Sequence, residues 1–178
     1  LGHMWELYAM WAWIGVAAAA SYAVHLPDDQ AATLAKLTAF VAIAGGGLIC
    51  AATGRAADRI GKARVAMWAM VISGAAAIAA TLSFGGPVWL FFAVAVIWGL
   101  AIIPDSAQFS ALVADAAPPE QAGSLMTFQT ALGFALTILT VQATPALAAS
   151  FGWPLIFAIM AFGPAFGVVA MLRLQRLG

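Results

Sequence analysis

The chain has 178 residues, of which 65% are hydrophobic and only 8% charged, with seven basic and seven acidic side chains that cancel. Mean hydropathy is +1.01, and the apolar share lies well above the ~45–50% of soluble domains. This excludes a soluble domain, and the neutral balance gives no reason to expect a nucleic-acid partner.

Several charge-free runs are about 18 residues or longer, enough to cross ~30 Å of hydrocarbon as helices. Only helices and closed barrels satisfy their backbone in lipid, and no alternating ten-residue strand pattern occurs. The expected fold class is therefore an all-α integral membrane protein, one domain over 1–178, with the lipid bilayer as its first partner. The first span is expected at 4–25, closed by the turn signal Leu26-Pro27-Asp28-Asp29. It is too long for a signal peptide and lacks a small-residue cleavage site. A start at Leu1 rather than Met suggests a cut or processed product. The second span is expected at 32–53, ending before Gly54. It holds Cys50, which has no intrachain partner for a disulfide, and Gly45-Gly46-Gly47, which suits close helix packing. A third span, 65–84, is closed by Gly85-Gly86-Pro87. The fourth, 87–113, is interrupted by Pro104. Pro118-Pro119 punctuate the next loop, and a fifth span follows at 121–148. Phe151-Gly152-Trp153-Pro154 open the sixth, 151–172.

Basic residues set the orientation. Arg55, Arg59, Lys62 and Arg64 lie between spans two and three, and Arg173 and Arg176 follow span six. With six spans these share one side, and the excess of Lys and Arg places both termini in the cytoplasm.

The basic stretch is more patterned than a solvated loop requires. Gly54, Ala57, Asp58, Arg59, Gly61, Lys62 and Arg64 stand in the order G-x-x-A-D-R-x-G-K-x-R. This resembles the signature loop of the major facilitator superfamily, which lies between the second and third helices of a six-helix half. Ala56 and Ala63 depart from it where the family carries a bulky residue and a second base. Pro118 and Gly123 are similar to the family segment that opens the fifth helix, with Ala122 in place of its arginine. Both glycines of the loop suit tight turns. Asp58 suits a helix N-terminus, with Arg59 and Arg64 as neutralising partners. The resemblance implies a six-helix half bundle (the family's 3+3 repeat), a second half as partner, and a gating loop of Gly54, Asp58, Arg59, Gly61, Lys62 and Arg64. The short tail after span six and the opening LGHMWELYAMWAW resemble the C-terminal half. An internal echo, Trp5/Ala9/Gly15 and Trp89/Ala93/Gly99, fits the repeat.

The implied function is half of a secondary active transporter in the bacterial inner membrane. It would move a small solute by alternating access, with a proton as one possible driving ion. A non-transporting scaffold or assembly factor is the alternative. No catalytic motif or metal-ligand spacing occurs, so neither an enzyme nor a cofactor is expected. In this family spans one and four line the central cavity, two and five flank it, and three and six face lipid. Polar residues suit that pattern: His3, Glu6 and Tyr8 in span one; Asp105, Ser106, Gln108 and Ser110 in span four; Thr127, Gln129, Thr130, Thr137 and Gln142 in span five. Ionisable groups within a membrane span are costly and mark functional sites. The candidate substrate or proton site is Glu6, Tyr8, Asp105, Gln108 and Gln129. Hydration at the interface is the competing role for Glu6, and pairing with the basic loop that for Asp105. Trp5, Trp11, Trp13 and Tyr8 suit an interfacial aromatic belt.

Overall fold

A computed structural model describes residues 1–177, all of whose regular structure is helical. The helices are α1 (Gly2–Tyr22), α2 (Asp28–Ile60), α3 (Lys62–Ser83), α4 (Val88–Ile102), α5 (Pro104–Ala116), α6 (Ala122–Phe151), α7 (Trp153–Met160) and α8 (Phe162–Leu177). Five stretches are long and apolar enough to cross a membrane: Asp28–Ile60, Lys62–Ser83, Val88–Ala116, Ala122–Phe151 and Trp153–Arg176. The 21 residues of α1 fall short on hydropathy because His3, Glu6, three Trp and two Tyr dilute its alanines.

Proline and glycine place the breaks. Pro104 lacks an N–H and its ring crowds the preceding turn, which separates α4 from α5 at Ile103. The break between α7 and α8 at Ala161 was not anticipated in a span expected to run 151–172; Pro164 explains it in the same way. The expected loop at 54–64 is corrected more sharply. α2 runs on through Gly54 and Asp58 to Ile60, and α3 begins at Lys62. Gly61 alone turns the chain, at φ +97°, where glycine is strongly favoured. With 33 residues α2 is about 50 Å long, more than ~30 Å of hydrocarbon needs. At the start of α6, Pro118 to Gln121 form a turn, so Pro119 stands before the helix rather than in its first turn.

The Gly85 end of the bundle is apolar and aromatic. Phe91, Trp98 and Phe157 are buried there with Tyr22, and Phe84 and Trp153 pack around them. Tyr22 Oη and Thr38 Oγ1 share a buried hydrogen bond of 2.9 Å. The chain reversals are tied together: Ser21 Oγ accepts from the Gly85 N–H at 2.9 Å, and a His25 ring nitrogen lies 3.0 Å from the Gly85 carbonyl.

α1 packs against α2, α4, α6 and α8, and α3 against α4, α5, α7 and α8. α3 is thus central to the isolated bundle, whereas α2 and α6 bury the smaller shares. Span three, expected to face lipid, exposes Trp68, Ile72 and Leu82 on one face and buries Ser73, Ala76, Ala77 and Ala80 on the other. At the crossing of α2 and α4 a Cβ on Gly99 would lie 2.4 Å from the Ala42 carbonyl oxygen, and one on Gly46 2.4 Å from that of Gly99. Small residues bring these backbones into contact. Gly46 therefore has the packing role read from the glycine run, while Gly47 faces open space.

Two tryptophans of α1 reach into the bundle. Pro145 has no N–H, which frees the carbonyl four residues earlier, and Trp13 Nε1 donates to that Val141 carbonyl at 3.0 Å. Trp5 Nε1 donates to the Ile159 carbonyl at 3.0 Å, beside the α7–α8 break. The first of these bonds repairs a break in a neighbouring helix. Trp89, the counterpart of Trp5 in the internal echo, is 70% exposed and has no such role.

Candidate functional site

The first two turns of α1 carry His3 and Glu6, and α5 brings Asp105 to them. Glu6 is 1% exposed, which removes the hydrated-interface reading for the chain as it stands. Trp98 Nε1 of α4 donates to Glu6 Oε1 at 2.6 Å, and Ser73 Oγ of α3 lies 3.0 Å from Glu6 Oε2. Both partners are themselves buried. A carboxyl group out of water needs such partners, because burying it unpaired would be costly.

One turn earlier on the same helix, His3 is also buried. Its Nδ1 lies 2.8 Å from Asp105 Oδ1, and its Nε2 lies 2.6 Å from Ser106 Oγ. The approach to Asp105 is close but out of line for a well-directed hydrogen bond, leaving charge as its main term when His3 is protonated. Asp105 sits in the first turn of α5, directly after the Pro104 break, and is 1% exposed. It does not pair with the basic stretch. Asp115, two turns and more along α5, does so instead, through Lys62.

His3 and Gln129 line a cavity of about 750 Å³ between the start of α1, α5, α6 and α8, walled mainly by Phe109, Leu112, Phe166 and Met171. Gln129 Oε1 is buried there without a hydrogen-bond partner. Gln108 is buried on α5. Tyr8 lies apart, its ring packed on Trp11 and Phe134. The structure therefore brings Glu6, Asp105 and Gln108 into the interior and puts Gln129 on the cavity wall, with Tyr8 in an aromatic group beside them. Thr127, Thr130 and Thr137 bond carbonyls of their own helix, and Gln142 is exposed.

Of the basic stretch, Asp58, Arg55, Arg59 and Arg64 are exposed, and Asp58 makes no ion pair among the described residues. Neither Arg59 nor Arg64 neutralises it. Gly54 lies within a helix and serves no turn. Three partners escaped the sequence: Ser73 and Trp98, which hold Glu6, and Asp115, which holds Lys62. Ser73 is the polar residue at mid-span of α3 and was a visible signal; Trp98 looked like one more core aromatic.

The family model of the Major Facilitator Superfamily matches residues 6–177. The chain belongs to that superfamily. Its members are membrane transporters and not enzymes. No curated protein and no solved structure matches this superfamily member.

Proposed function

We propose that this chain is a six-span half of a secondary transporter, the C-terminal one. α1 is its first span, α4 with α5 its fourth and α7 with α8 its sixth. Both termini lie in the cytoplasm of a bacterium, across the inner membrane. A second six-helix half completes the path, and the pair moves a small solute by alternating access. The exposed apolar side chains of α2 and α6, among them Phe40, Leu48, Phe128 and Ile138, leave room for that second half as they do for lipid. In this reading Asp58, with Arg59, Lys62 and Arg64 around Gly61, latches onto the other half, which accords with its lack of an ion-pair partner in this one.

The observation that carries the reading is the pair of buried carboxyl groups, Glu6 and Asp105, set in apolar helices, with His3 between Asp105 and the 750 Å³ cavity. Charge in a span is retained where it works, and a carboxyl group that gains and loses a proton is a coupling device. The solute then occupies the interface of the halves, with Gln108 and Gln129 supplying amide contacts.

Proteoliposomes holding both halves and loaded with pyranine test this. Solute-driven proton entry is expected. Glu6→Gln or Asp105→Asn should abolish uphill uptake while sparing solute exchange. No proton entry with any solute, together with stable co-purification of a membrane complex, would favour a scaffold.

A further inference from the structure

We infer that Glu6 is a proton site and not a sodium site, that the proton enters at Oε2, and that Ser73 is the switch that keeps both states hydrogen-bonded. This deepens the proton-coupled reading above and rests on it only for its role in transport.

Trp98 Nε1–H can donate but never accept. At 2.6 Å from Oε1 it holds that oxygen as an acceptor in either state. The carbonyl oxygen of a protonated carboxyl group is the better acceptor, so Trp98 favours Oε1 as the carbonyl and an added proton on Oε2. Ser73 Oγ lies 3.0 Å from Oε2 and 3.3 Å from the Met70 carbonyl, so its one hydroxyl hydrogen has two acceptors. With Glu6 ionised, Ser73 donates to Oε2. When a proton binds, the new O–H donates to a lone pair of Ser73 Oγ, and the serine hydrogen rotates to the Met70 carbonyl. One proton is gained, one hydroxyl turns, no heavy atom moves, and no polar atom is left bare. Buried polar networks are stable only when fully satisfied, and this one is satisfied twice.

A sodium ion has no such accommodation. A hard cation needs several oxygens around it, but both carboxylate oxygens already face donors, and the Trp98 N–H directs positive charge at the place where an ion would sit. Other charged groups leave this assignment intact. α4, α6 and α7 carry no titratable side chain. On α3 they are Lys62 and Arg64 at its start, and on α8 Arg173 and Arg176 at its far end. α2 contributes Cys50 in mid-helix, with Lys36 and its other charges toward the two ends. α1 itself adds His3, Tyr8 and Tyr22, and α5 adds Asp105 and Asp115.

Infrared difference spectra of the whole chain in nanodiscs, acid minus alkaline, provide the test without any need for transport. A protonated-carboxyl band is expected that vanishes in Glu6→Gln and survives Asp105→Asn. Trp98→Phe should raise its frequency, because the carbonyl at Oε1 loses its donor. Ser73→Ala should shift it also, and Ser73→Thr should restore it. Exchanging sodium for choline should leave the titration midpoint unmoved. A band that survives Glu6→Gln overturns the inference, as does a midpoint that moves in step with sodium. If Glu6→Gln does not fold, an unshifted band in both Trp98→Phe and Ser73→Ala overturns it equally. A Glu6 band without proton-driven uptake would sink the transport reading alone; proton-driven uptake with a band insensitive to Glu6→Gln would sink this inference alone.

Discussion

At the scale of single residues, two exposed carboxylates at the Gly61 end behave differently. Asp115 is held by Lys62, while Asp58 makes no ion pair among the described residues. Asp115→Asn should therefore lower the chain's own stability by about 0.2–1 kcal/mol, the range of an exposed pair, and high salt should erase the difference. Thermal unfolding in detergent at two salt concentrations checks it. Asp58→Asn should leave that unfolding unchanged. In the assembled transporter the same change should shift the population towards the inward-open state by ~1–3 kcal/mol, if coupling is of the usual size. Accessibility of a cysteine on α5 reports the shift, and an unchanged rate would reduce the stretch to an anchor of orientation. The acids themselves were legible: Glu6 and Asp105 stand out in apolar spans. Their partners were not, because a hydrogen bond from Ser73 or Trp98 joins positions 67 and 92 residues away, and sequence periodicity carries no such distance.

Elements depend on how their broken backbone is repaired. Pro145 deprives the Val141 carbonyl of its helical donor, and Trp13 supplies a substitute. Removing the indole in Trp13→Phe should strand that carbonyl in a dry environment and destabilise the fold by about 1–3 kcal/mol. In a Pro145→Ala background the backbone N–H returns, so the loss should shrink to the packing difference alone. Equal losses in the two backgrounds would show that the indole matters only for its bulk. The α2–α4 crossing makes a harsher demand. Gly99→Leu has to push α4 from Ala42, and overpacking of this kind costs about 1–3 kcal/mol; a drop in midpoint without aggregation is the expected reading. Breaks at Pro104 and Gly61 were legible because proline and glycine announce them. The continuation of α2 to Ile60 was not, because a charged helix end looks like a loop when only hydropathy is read.

For the whole molecule, composition alone disclosed a helical membrane protein, and the order of residues around Gly61 disclosed the family. Which faces are covered was less visible. The bundle exposes α2 and α6 whether they meet lipid or another protein surface, and hydropathy does not separate those surroundings, both being apolar. Orientation is decided by charge instead. Arg55, Arg59, Lys62, Arg64, Arg173 and Arg176 gather at the Gly61 end, while Asp28 and Asp29 open α2 at the other. Moving basic side chains across the bilayer is opposed at insertion, so the Gly61 end should stay inside. In a Cys50→Ser background, a cysteine replacing Asp28 should react with an impermeant maleimide added to intact cells. One replacing Gly61 has the left-handed backbone against it, so Asp58→Cys is the better inside reporter and should react only after the cells are opened. Six crossings require that opposition, because α2 lies between the two positions and both termini then share the Asp58 side. Labelling of Asp58→Cys from outside would invert the molecule, and equal labelling of both sites in intact cells would remove α2 from the list of spans.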